Sequence, residues 1–191
     1  MSGLLLRDII DNSYKSQKQF KNSLEKTKHK YDDELSSMNS KVFVAPDGTP
    51  NIAHRGTKTL QDVLDDGLLA VGLQKYSKRF NDARELTKKV ENKYGKPAIQ
   101  IGHSLGGSLA EYAASKNAPV KTYNKGVGLG GIGRTIPKNQ TDIRTKADLI
   151  SVLSTTQKHK GKYVNIDTKN KLNPLDAHNT KHLKDNNMRF I

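Results

Sequence analysis

The sequence predicts a three-layer α/β domain, a mainly parallel sheet with flanking helices, preceded by an N-terminal helical extension. Two observations carry this expectation. Short β-rich runs alternate with helical stretches from about residue 41 to residue 166, the pattern of a sheet whose strands are joined by crossover helices. A glycine-rich turn at 102–107 joins one such run directly to an Ala-rich helical stretch. A chain of 191 residues fits one domain with a short appendage. The expected division is an extension over 1–40 and the α/β domain over 41–191.

Within the extension, Leu4, Leu6, Ile9, Ile10 and Tyr14 begin a helical stripe that Phe20, Leu24, Tyr31 and Leu35 continue sparsely. Two readings stay open: a helix or helical pair packed on the domain or swinging free, and an amphipathic anchor that inserts Leu4, Leu5 and Leu6 into a membrane. At Lys41 the texture changes. Val42–Val44 and Asn51–His54 flank Pro46-Asp47-Gly48, a strong turn signal, and read as a hairpin. Leu60, Val63, Leu64, Leu68, Val71 and Leu73 recur at helical spacing, and a charged helix is expected from about Lys75 to Tyr94, closed by Gly95 and Pro97. Pro97–Ile101 reads as a strand, Ser108–Lys116 as a helix and Val120–Tyr123 as a strand. Asp142–Arg144, Leu149–Leu153 and Tyr163–Ile166 are further extended candidates.

Composition narrows the chemistry. There is no cysteine, which excludes disulfides, thiolate metal sites and cysteine nucleophiles. No apolar run approaches the ~18 residues of a membrane-spanning helix. Three leucines followed at once by Arg7 and Asp8 do not make a secretory leader, so an intracellular, soluble protein is expected. The formal charge is +14. No basic run reaches five residues and few aromatics interleave the lysines, so a solvated surface is the first reading, anionic lipid the second and nucleic acid the third.

Gly102-His103-Ser104-Leu105-Gly106 is the segment that carries chemistry. A serine on a sharp strand-to-helix turn is held with its hydroxyl outward. Side chains two residues before or after it would strike the neighbouring strand or helix, hence the glycines. The Leu105 N–H then opens the helix and faces a reacting carbonyl, where it and the helix dipole can stabilise an oxyanion.

The string from Ile101 to Ala110 closely resembles the nucleophile segment of the class 3, or fungal lipase-like, family of α/β hydrolases. His54-Arg55-Gly56-Thr57 is similar to that family's second signature, an aromatic followed by Arg-Gly-Thr/Ser. The resemblance spans roughly 41–185 and implies a compact α/β hydrolase fold. It also implies a serine esterase acting on lipid esters without a cofactor, with Thr57 as an oxyanion-hole donor. His54 departs from the usual aromatic. The compact layout is also similar to small lipase-like proteins of large DNA viruses, and virion association goes with that likeness. Residues 58–73 lie where relatives carry a lid, although their apolar stripe is read first as core.

A serine nucleophile needs a base and an acid to orient it, in the chain order Ser, acid, His. Asp148, at a turn after an extended segment, is the expected acid, with Asp142 second. His178, in a late Leu-Asp-Ala-His element similar to one in the family, is the expected base. His182 and His159 are expected at the surface, and His103 is expected to pack or hydrogen-bond beneath the site. Gly128–Gly133 matches G-x-G-x-x-G, but Pro137 follows where a helix would have to run, so no dinucleotide site is expected. No histidine–carboxylate spacing suggests a metal. The rival readings are a non-catalytic scaffold of hydrolase fold and a basic module that binds polyanions or membranes.

Overall fold

The structure, a computed structural model, describes residues 4–57, 77–127, 132–167 and 174–186. The lid candidate at 58–73 and most of the glycine run at 128–133 lie outside them. Among the described residues, β1 (Lys30–Tyr31), β2 (Ser40–Val44), β3 (Pro50–His54), β4 (Ile99–His103), β5 (Val120–Tyr123), β7 (Gln140–Thr145) and β9 (Lys162–Ile166) form one seven-stranded sheet in that spatial order. The β1–β2 and β2–β3 pairs are antiparallel, and every later pair is parallel. A small ribbon pairs β6 (Thr135–Ile136) with β8 (Lys158–His159).

Alternation along the strands sorts the two faces. Phe43, Ala53, Ile101, Tyr123, Ile143 and Ile166 share one face. They pack with Leu4, Leu6, Ile9 and Ile10 of the first helical segment, α1 (Leu6–Ser13), and with Phe20 and Leu24 of α2 (Gln17–Leu24). Ser16 starts α2 with a reciprocal capping box to Gln19, which satisfies two end donors at once. On the other face Val42 and Ile52 meet Val90 of α3 (Ser77–Tyr94). Leu105 and Leu109 of α4 (Leu105–Ala113) pack on Ala83 and Phe80 of α3.

The N-terminal stripe is therefore core. Leu4 and Leu6 are 7% and 3% exposed, which corrects the reading in which they insert into a membrane. A one-stripe helix beside an uncovered apolar sheet face buries more surface on the sheet than it would leave for lipid. Of the two forms expected for this segment, a helix or a helical pair, it takes the pair, with β1 following where the helical stripe was expected to continue. Leu149–Leu153, expected as extended, instead turns into a 3₁₀ segment at Val152–Thr156. The cause is local: the Asp148 carboxylate accepts the backbone N–H groups of Ile150 and Ser151, and bends the chain there.

His54 lies on the α3 face and closes a buried polar chain. Its Nε2 donates to Gln100 Oε1 at 2.8 Å, so its bare Nδ1 accepts from Ser40 Oγ at 2.9 Å. Gln100 donates on to Thr87 Oγ1. Both ring nitrogens of His54 are engaged and neither is left to take a proton, so this serine–histidine pair supports the fold.

Phe20 has no exposed surface and packs its ring against Tyr31 and Phe43. Phe20→Ala should cost about 3–5 kcal/mol, the usual loss for a buried phenylalanine. Urea unfolding followed by circular dichroism should show the midpoint fall with the slope unchanged.

Candidate active site

Strands β3, β4, β5 and β7 end side by side, with His54 level with Gly102, and His103 with Tyr123 and Ile143. The loops that leave these carboxyl ends carry Thr57, Ser104, Asn124 and Asp148. An open parallel sheet places its sites at this edge.

Ser104 stands between β4 and α4 with φ 56° and ψ −129°, one of two non-glycine residues with positive φ among the described residues. It occupies the N-cap of α4, yet its side chain caps nothing. The strained backbone is held by its neighbours: Ser104 N–H donates to Tyr123 O, and Ser104 O accepts from Gly107 and Gly126. The flanking glycines allow this crossing. A Cβ on Gly102 would strike the Gly106 carbonyl, and one on Gly106 would strike the His54 carbonyl of β3. The helix begins three residues earlier than the sequence suggests, because the turn itself supplies its first residues. The Leu105 N–H is thus a first-turn donor with no acceptor inside the helix.

Gly56 brings the Thr57 loop to the serine. A Cβ on Gly56 would lie 2.9 Å from His103 O and 3.4 Å from Ser104 Cβ. Thr57 Oγ1 is buried and has no hydrogen-bond partner among the described residues.

Asp148 and His178 meet across 30 residues. His178 Nδ1 lies 3.0 Å from Asp148 Oδ1, with both side chains buried. A carboxylate only accepts, so Nδ1 donates and the other nitrogen, Nε2, is the one left to take a proton. Nε2 is buried with no partner among the described residues. Burial alone would raise the Asp148 carboxyl. The His178 hydrogen bond and charge, with the donors at Ser151 and Ile150, instead hold it below the ordinary carboxylate value. Arg144 braces the same turn through Ser151 Oγ and the Asp148 carbonyl.

The loop bearing His178 is tethered at three successive carbonyls. Asn124 Nδ2 donates to Ala177 O at 3.0 Å, His103 Nε2 to His178 O at 2.9 Å and Tyr123 Oη to Asn179 O at 3.0 Å. Asn124 Oδ1 also accepts from the Thr145 N–H at 2.8 Å, so one side chain joins the acid loop to the base loop. Asn124 has φ 41°, a conformation asparagine tolerates better than most residues. Sequence reading passed over Asn124, Tyr123 and Arg144; an asparagine directly after a strand was the one available signal.

The remaining candidates fall elsewhere. Asp142 is buried in β7, 2.7 Å from Lys125 Nζ and accepting from Thr122 and Gln140. His159 was expected in solvent, but its ring is covered beside Asp142 and packs on Tyr163, with neither nitrogen hydrogen-bonded among the described residues. His182 is also mostly covered, and its Nε2 donates to Asp176 O at 3.0 Å. Among the described residues, no group of histidines and carboxylates could hold a metal ion, and no helix is long and apolar enough to cross a membrane.

With this geometry in place, comparison with known proteins is decisive. The family model for the Tle-like phospholipase domain matches residues 9–155. The chain belongs to that family. The match crosses residue 40, so α2 and the second part of α1 fall within it. The phospholipase-like domain is also similar in structure to fungal lipases. It aligns with the native Rhizomucor miehei lipase–propeptide complex at TM-score 0.54 and 15% identity, over 84% of this chain and 66% of that one. It aligns with an MDLA mutant from Penicillium cyclopium at 0.52 and 14%, over 88% and 78%. With Lip2 lipase from Yarrowia lipolytica the values are 0.50 and 18%, over 79% and 68%. At such identity the likeness establishes the lipase-like α/β hydrolase fold. No curated protein sequence matches.

Two buried histidines make the domain acid-sensitive. Burial is the main cause that depresses His103 to about 3 and His54 to about 4. Above the unfolded value of about 6.5 both states keep these rings neutral, and stability is unaffected. Below it the unfolded chain takes up protons that the fold refuses. Each ring should then remove roughly 1.4 kcal/mol per pH unit. Urea midpoints measured from about pH 7 down to pH 4.5 should fall with that slope, and the loss should shrink in His54→Gln.

Proposed function

We propose that this domain is a serine hydrolase of lipid carboxylic esters. The observation that carries the reading is the Asp148–His178 hydrogen bond, which leaves His178 Nε2 without a partner among the described residues, together with an elbow serine whose hydroxyl caps nothing. Membership of a phospholipase-like family supports the lipid substrate class, an acylglycerol or phospholipid. No cofactor enters the scheme.

Ser104 Oγ attacks the ester carbonyl carbon while its proton passes to His178 Nε2. The carbonyl oxygen becomes an oxyanion that accepts from the Leu105 N–H and from Thr57, whose hydroxyl has no partner among the described residues. Collapse expels the alcohol, which takes the proton from His178. Water, deprotonated in turn by His178, attacks the acyl-enzyme, and Ser104 leaves with the proton as the acid departs. Asp148 orients the imidazole and stabilises its charged form throughout.

Ser104→Ala should abolish ester hydrolysis and labelling by a fluorophosphonate probe with the fold unchanged by circular dichroism. His178→Ala should lose on the order of 10⁴–10⁶ in kcat and Asp148→Asn about 10⁴, by analogy with other triads, while His182→Ala changes little. Thr57→Val should cost about 10²–10³ and Thr57→Ser much less. A folded wild type that neither hydrolyses esters nor takes the probe would mark a non-catalytic scaffold.

Contact with an anionic membrane belongs to the same proposal. Leu149 and Val152, 55% and 39% exposed, stand beside Asp148, and the chain carries a +14 charge. Vesicle co-sedimentation should show binding to anionic vesicles that weakens in high salt, because the Debye length at 0.15 M is only about 8 Å. Leu149→Ser should weaken it further. Equal, negligible binding to neutral and anionic vesicles would remove the membrane from the proposal.

A further inference from the structure

One hydroxyl from the N-terminal segment lies behind the site, against the residues that precede Ser104 and Thr57. Tyr14 is the C-cap of α1. Its Oη lies 2.9 Å from His103 Nδ1 and occupies the space that a side chain on Gly56 would need. His103 precedes Ser104, Gly56 precedes Thr57, and His103 Nε2 reaches the carbonyl of His178.

The tautomer follows from these partners. The His178 carbonyl oxygen only accepts, so His103 carries its proton on Nε2. Nδ1 is then bare, and Tyr14 Oη must donate to it. The phenol is itself buried, and burial raises its pKa above the ordinary tyrosine value, so it stays a donor. The His103 ring lies 4.5 Å from the His178 ring, centroid to centroid, and stacks on Tyr123.

We propose that Tyr14 is a positioning residue. By fixing His103 as its Nε2–H tautomer it holds the His178 carbonyl, and through it the His178 ring, against Asp148. By packing its hydroxyl against Gly56 it keeps the Thr57 loop beside Ser104. The kinetic consequence rests on the hydrolase reading; the hydrogen-bond relay does not.

Removing the hydroxyl leaves His103 Nδ1 buried and without its partner, while Ala177 O and Asn179 O remain tethered by Asn124 and Tyr123. The base loop therefore stays docked but is no longer held at its middle carbonyl. A change in alignment, rather than unfolding, is the expected result.

The test compares full-length wild type with Tyr14→Phe and with Phe20→Leu, which loosens the same core without removing a polar contact. On a short-chain ester, Tyr14→Phe should lower kcat about 10- to 100-fold with KM nearly unchanged, the range seen for outer hydrogen-bond partners of working histidines. Phe20→Leu should lower thermal stability and keep kcat. In nitrogen-15 imidazole spectra between about pH 5 and pH 8, wild-type His103 should show a protonated Nε2 and a bare Nδ1. Tyr14→Phe should shift the Nδ1 signal and speed exchange of the His178 Nδ1 proton with water. An Nδ1–H tautomer at wild-type His103 overturns the proposal. So does a Tyr14→Phe variant with unaltered kcat and His178 exchange, or an equal kcat loss in Phe20→Leu. A wild type that is inert to esters and to the probe sinks the hydrolase reading alone, and the imidazole spectra still decide the relay.

Discussion

Asp148 has no exposed surface, and a carboxylate is tolerated there only when donors replace its water. The donors are two backbone N–H groups of its own turn and the Nδ1–H of His178, 30 residues away. The turn donors come at no extra structural demand. The imidazole does not: its loop has to be brought over the sheet edge and kept there. The tethers at Ala177, His178 and Asn179 and the bracing of the turn by Arg144 serve that one requirement.

The same demand explains the role of the N-terminal helices. His103 can hold the base loop only if its own far nitrogen is satisfied in the buried interior, and Tyr14 satisfies it. Tyr14 in turn is placed by Leu6, Ile9 and Ile10, which seat α1 on the sheet face. Apolar packing on one side of the sheet and polar geometry at its edge are thus parts of one arrangement.

The contrast with the other buried polar groups is informative. In the Ser40–His54–Gln100–Thr87 chain each link donates to the next, which suits a group that only supports the fold. Lys125 likewise lies between Glu111 and Asp142. At the sheet edge, His178 Nε2 and Thr57 Oγ1 are buried without partners among the described residues. The serine on the same edge is held in a strained conformation and does not cap its helix. Unmet donors and acceptors on one edge with a strained residue suit a site that completes its hydrogen bonds with a ligand.

The residues by themselves determined whatever local rules govern. The alternation of strands and helices announced the sheet. Gly102 and Gly106 around Ser104 announced a strand–turn–helix crossing, because only glycine fits where backbones approach so closely. Asp148 and His178 could be named from chain order and resemblance. Leu149–Leu153 was misread as extended because a side-chain carboxylate capturing two following N–H groups competes with strand formation, and hydrophobic pattern does not register that competition. His159 was read as solvated because part of its covering comes from Asp142, on a strand it does not adjoin in sequence, and because the chain turns back so that Tyr163 of the next strand packs on the ring. Whether the N-terminal leucines faced lipid or core was open for the same reason: an amphipathic stripe records that a helix buries one side, not against what. Tertiary structure alone decided that, and it alone put Tyr14 and Asn124 behind the site with His103, whose place beneath the serine the elbow already implied. Their hydrogen bonds join atoms up to 89 residues apart, and no short-range pattern specifies a contact that exists only once the sheet has brought its strand ends together.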